Sequence, residues 1–92
     1  MKYRHYAPDC EVILFREGEL ISGESIAIIG FTERNDVVFY QAVNSNFEYM
    51  HHLYSFFIDC DQRKIKKAYC EIPIQDEFEE VLLNRISKAA LK

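Results

Sequence analysis

Ninety-two residues leave room for one domain, and an apolar share of 49% with 14% aromatics supplies a real core and excludes global disorder. A net charge of -4 argues against a surface built throughout for nucleic acid and leaves room only for local basic patches. No apolar run approaches the roughly 20 residues that span a bilayer, and no signal-peptide core follows Lys2 and Arg4, so the expected location is the cytoplasm.

The first eight residues, Met1 to Pro8, are too short and too polar for a core segment, yet hold two tyrosines, an arginine, a histidine and a stiffening proline. Arg4 suits a bidentate contact to phosphate or carboxylate. Tyr3 and Tyr6 offer flat faces and hydroxyls, and His5 can donate or accept a proton. The plain alternative is a frayed terminus.

Glu11 to Phe15 is rich in β-branched and aromatic residues and reads as a strand buried on both faces. Loop chemistry follows around Gly18 and Gly23, and then Ser25 to Phe31 reads as a second buried strand. Thr32 to Asp36 is a polar loop, and Val37 to Val43 a third strand. Ser45 with Glu48 makes a capping box that opens a helix. Phe47, Met50, His51, Tyr54, Phe57 and Ile58 recur at helical spacing as an apolar stripe, widened by Leu53, Phe56 and Cys60. So wide a stripe implies heavy burial, with a partner domain as one cover.

The helix should fade near Asp61 to Lys64, ahead of a fourth strand around Ala68 to Ile72 that Pro73 ends. Asp76 and Glu79 start a second helix, with Phe78, Val81, Leu82, Arg85, Ile86 and Ala89 on its inward face. The expected fold is therefore α/β: a small Rossmann-like layered domain with a mostly parallel sheet of about four strands and two main helices. Residues 1–10 are the linker segment and residues 11–92 the domain proper. One interval is awkward, because Glu17 to Glu24 is short for a crossover that usually takes roughly a dozen residues. Either the first two strands form an antiparallel hairpin or the crossover has shrunk to a loop.

Catalytic chemistry is hard to find. No dinucleotide fingerprint, P-loop or nucleophile elbow is present. Cys10, Cys60 and Cys70 lack zinc-site or disulfide-framework spacing, so buried thiols are expected and neither a metal site nor a catalytic residue is assigned. His51 reads as a semi-buried ring, and Gly30 as a strand-ending glycine. Arg63, Lys64, Lys66 and Lys67 form a basic cluster that a helix C-terminus favours on dipole grounds and that could contact RNA. A stand-alone α/β domain would instead bind a small molecule near Gly30 and Thr32.

Lys2-Tyr3-Arg4-His5-Tyr6-Ala7-Pro8 resembles the interdomain linker of the long form of L-threonylcarbamoyladenylate synthase, which reads G-M-[KR]-Y-R-H-Y-A-P. Val81 to Ala90, with its N-R-I-S-K-A-A run, is similar to that family's closing helix. The chain differs from the family between its first two strands, where the family has a long helix. It differs again at Gln75 to Glu80, where the family tends to carry glycines. The resemblance implies a linker plus a C-terminal accessory domain, beside an N-terminal YrdC-like catalytic domain. That domain condenses L-threonine, bicarbonate and ATP, with magnesium, into threonylcarbamoyl-AMP, a precursor for tRNA threonylcarbamoyladenosine. It further implies that Tyr3, Arg4, His5 and Tyr6 form a lid over nucleotide bound by the catalytic domain. ATP and magnesium belong to that domain and no cofactor to this chain, which alone is expected to be inactive. Contact with the tRNA-modification machinery is a further implied partnership.

Overall fold

The β-branched runs of the sequence become four five-residue or shorter strands in a computed structural model that describes residues 7–19, 21, 23–34 and 36–91. They are β1 (Glu11–Phe15), β2 (Ile26–Gly30), β3 (Phe39–Ala42) and β4 (Lys67–Glu71), joined by two helices, α1 (Asn46–Gln62) and α2 (Glu79–Leu91). All pairings are parallel and the strand order is β1-β4-β2-β3. The awkward interval resolves here. β1 and β2 are not neighbours, because β4 lies between them with Ala68 opposite both Val12 and Ala27. The crossover is a loop, and the sheet stays parallel.

Side-chain alternation divides the sheet into two unlike faces. Val12, Ala27, Ile29, Ala68 and Cys70 point towards Tyr49, Leu53, Phe56 and Phe57 of α1 and Leu82, Ile86 and Ala89 of α2, forming the main core. On the other face Phe15, Ile26 and Ile28 are closed over by Ile21 from the β1–β2 loop, with Val37, Tyr40 and Tyr69 around them. Parallel sheets usually carry helices on both faces. Here one face is covered by connecting segments alone, which gives a two-layer domain.

The capping box forms, with a shifted reach. Ser45 is the N-cap and its Oγ accepts from the Glu48 N–H at 3.2 Å, while Glu48 reaches back to the Asn44 N–H at 2.9 Å. At its other end α1 stops in a Schellman turn. The Ile65 N–H donates to the Cys60 carbonyl at 2.9 Å and the Lys64 N–H to the Asp61 carbonyl at 3.1 Å. Lys64 therefore sits at φ 57°, a place that glycine usually fills. Replacing Lys64 with glycine should raise unfolding stability by roughly 1 kcal/mol, read as a higher urea midpoint with an unchanged slope.

Burial on α1 is phased differently from the sequence reading. The residues turned to the sheet are Asn46, Tyr49, Leu53, Phe56, Phe57 and Cys60. Phe47 and Tyr54 are 65% and 50% exposed, and His51 also faces outward. The helix carries two apolar series, offset by one position and each repeating at three and four residues. Spacing alone cannot choose which of them meets the sheet. On α2 the expected inward face holds at Leu82, Ile86 and Ala89, whereas Val81 is 46% exposed.

Candidate functional site

The linker meets the domain at the end of the sheet where the strands begin. Pro8 is fully buried there. The next backbone N–H, of Asp9, donates to Asp61 Oδ1 at 2.9 Å, and the Glu11 N–H donates to the Lys66 carbonyl at 3.2 Å. These bonds lie on either side of Cys10, which is itself buried. The backbone from Pro8 to Glu11, the root of the linker, is thus fixed by a locked proline and by hydrogen bonds to the last turn of α1 and to the turn before β4. Tyr3, Arg4, His5 and Tyr6, the residues expected to form a lid, lie outside the described residues.

Beside that root stands the basic cluster. Arg63 lays its guanidinium 4.4 Å from the centroid of the Phe39 ring, which itself stacks on Phe56 at 5.7 Å. Lys64, Lys66 and Lys67 are exposed around the turn. The turn is clamped from the β2 side, since the Ser25 carbonyl accepts from Lys66 N–H at 2.9 Å and its hydroxyl donates to the Lys64 carbonyl at 3.3 Å. Ser25 takes a left-handed φ of 60° to do so. Two features separate in sequence, the linker and the basic cluster, therefore share one corner. The corner is not uniformly positive: Asp9, Glu11 and Asp61 line the same groove as Lys64 and Lys66.

From this corner the outer face of α1 runs to the opposite end of the sheet. Phe47, His51, Tyr54 and Ile58 follow one another along it, with Ile58 nearest the linker root and Phe47 farthest away. At the far end Phe47 lies 6.1 Å, ring centre to ring centre, from Phe78, next to the 48% exposed Ile74. This ridge is built from residues placed on the apolar stripe by the sequence reading, and the exposure of Phe47, His51 and Tyr54, with Ile58 half-buried, is the feature that sequence reasoning missed.

The far end, where the strands finish, is occupied by the protein's own side chains. Glu71 is buried and its Oε1 accepts from the Phe31 N–H at 2.7 Å. Gly30 leaves the space for it: a Cβ there would lie 2.9 Å from the Glu71 Cβ and nearer still to Oε1. The Tyr49 hydroxyl donates to the Glu71 carbonyl at 2.6 Å and the Tyr40 hydroxyl to the Gly30 carbonyl at 3.1 Å. Burial, reinforced by the charges of Glu71 and Glu33, pushes the Tyr40 phenol up to about 12. Burial likewise holds Tyr49 well above the usual tyrosine range, so both remain donors at neutral pH. The glycine read as a strand end is thus a seat for a carboxylate, and the space beside it is filled from within.

Asn46, the first residue of α1, is fully buried and joins this end to the loop before α2. Its amide donates to the Ile74 carbonyl at 2.6 Å and to Asp76 Oδ1 at 2.8 Å, while its oxygen accepts from the Ile74 N–H at 3.1 Å. Asp76 Oδ1 also accepts from the Phe78 N–H at 2.8 Å, which supports the turn into α2.

Compared with known proteins, the chain matches over residues 1–91 the family described as threonylcarbamoyl-AMP synthase, C-terminal domain. No curated protein and no solved structure matches it. Among the described residues no helix is long and apolar enough to cross a membrane.

Proposed function

The chain belongs to the threonylcarbamoyl-AMP synthase C-terminal domain family, and from that premise we propose that it is the accessory domain that seats and gates the synthase's catalytic domain. A C-terminal domain implies an N-terminal catalytic partner ahead of it. The observation that carries the reading is the linker root, fixed to the last turn of α1 at the foot of an exposed aromatic ridge. A domain joined through residues 1–8 and lying along α1 would cover Phe47, His51, Tyr54 and Ile58 while its active site stays within reach of the linker. Arg4 would then pair with the phosphate of the nucleotide, and Tyr3, His5 and Tyr6 would close over it. Closure would exclude water from the reactive mixed anhydride of threonylcarbamoyl-AMP, which the catalytic domain would make from threonine, bicarbonate and ATP.

A tRNA-contact role for Arg63, Lys64, Lys66 and Lys67 has less support. Arg63 is engaged with Phe39, and three carboxylates share the groove with the lysines.

The test uses the complete two-domain synthase. Phe47→Asp with Tyr54→Asp should lower threonylcarbamoyl-AMP formation at least tenfold, in a 92-residue chain that keeps its native circular dichroism. The 92-residue chain alone, given threonine, bicarbonate and ATP, serves as control and should make no product. Undiminished synthesis by the double variant, or product from the chain alone, would reject the proposal.

A further inference from the structure

The three cysteines, far apart in sequence, come together in the fold. Cys10 immediately precedes β1, Cys60 lies in the last turn of α1, and Cys70 is on β4; all three belong to the main core. Cys10 lies near enough to Cys60 to act on its thiol. Both also line one open groove of about 440 Å³, with Asp9, Glu11, Asp61, Lys64, Ile65 and Lys66 around them. Cys70 is fully buried behind them and does not line the groove. The backbones that carry the pair are held together by the Asp9 N–H bond to Asp61 and the Glu11 N–H bond to the Lys66 carbonyl. Two neighbouring thiols on clamped backbones, both lining one open groove, are a site for oxidation.

We propose that Cys10 and Cys60 form a peroxide-driven, reversible disulfide that fastens the linker root to α1. Cys10, at 7% exposure the more accessible of the two, reacts first. Its thiolate attacks one peroxide oxygen, the O–O bond breaks, hydroxide leaves, and a sulfenic acid forms. The Cys60 sulfur then attacks the Cys10 sulfur, the S–O bond breaks, and water leaves with the Cys60 proton. In sum two thiols and one hydrogen peroxide give one disulfide and two waters, the sulfurs oxidised and the peroxide oxygens reduced. Burial holds the Cys60 thiol well above its ordinary value, which disfavours the thiolate form in the second step. The importance of the bridge for gating rests on the lid reading above; its formation does not.

The chemistry is therefore tested on the 92-residue chain by itself. The folded chain is treated with millimolar hydrogen peroxide, quenched with catalase, denatured, alkylated with N-ethylmaleimide without reductant, and analysed by intact and peptide mass spectrometry. The expected result is a loss of two hydrogens and one alkylated cysteine, Cys70, in place of three. A peptide linking Cys10 to Cys60 should appear, and dithiothreitol should restore all three thiols. The Cys10→Ser and Cys60→Ser variants, checked for native circular dichroism, should each lose the bridge and keep two alkylatable thiols. Three alkylated cysteines after peroxide would overturn the proposal, as would oxygen added to Cys10 without a bridge. A bridge between Cys60 and Cys70 or between two chains would overturn it equally.

Discussion

Replacing Asn46 with alanine is expected to lower unfolding stability by about 3 kcal/mol. Three hydrogen bonds go at once, two donated to the Ile74 carbonyl and Asp76 and one accepted from the Ile74 N–H. Asn46 is fully buried, so water replaces them poorly, and an unpartnered backbone N–H brings its full desolvation cost. For a chain of this size the corresponding fall in Tm is on the order of 15 °C. Urea unfolding followed by circular dichroism measures it directly. A loss below about 1 kcal/mol would mean that solvent takes over these partners and that Asn46 is not the tie between α1 and the segment before α2. Asn46→Asp should be no milder, since it removes both amide donors and sets a carboxylate against Asp76 and the Ile74 carbonyl.

The second large effect is expected at Gly30. An alanine Cβ there meets Glu71 at both its Cβ and its carboxylate, and only the carboxylate end has room to swing away. Displacing Glu71 also strips the Phe31 N–H of its acceptor. Overpacking and the lost bond together predict a loss of about 2–3 kcal/mol. The mechanism is separable from a general intolerance of the strand by a double-mutant cycle with Glu71→Ala. Because the two residues are in contact, their effects should couple by about 1 kcal/mol or more. Strict additivity would place the damage elsewhere in β2.

The legible parts of this fold were those that rest on local rules. β1 follows the run Glu11 to Phe15 residue for residue, and Ser45 caps α1 as the spacing to Glu48 required. Class followed from the same runs, since strands without alternation belong to parallel sheets. The order of the strands was not legible, because placing β4 between β1 and β2 is a matter of long-range packing that no window of sequence contains. The phase of α1 failed for a different reason: two apolar series compete, and the sheet selects the one led by Tyr49 and Leu53 and leaves Phe47 and Tyr54 outside. The Glu71–Gly30 and Asn46–Asp76 pairings were invisible because each joins residues far apart in the chain. At the site, the linker motif stood out by composition, yet its root beside the α1–β4 turn could be known only from the folded chain.

The place of β4 also sets the order in which the chain can be completed. Among the described residues β1 has no strand neighbour other than β4, and β4 is the last strand to be made. During synthesis the first strand must wait while more than half of the chain is laid down. The loop that its pairing closes is the longest in the sheet. A domain emerging ahead of the linker would have that interval to fold on its own, joined to an unfinished neighbour. Only when β4 docks do β1 and the linker root acquire fixed positions, so the two ends of the connection are settled in sequence.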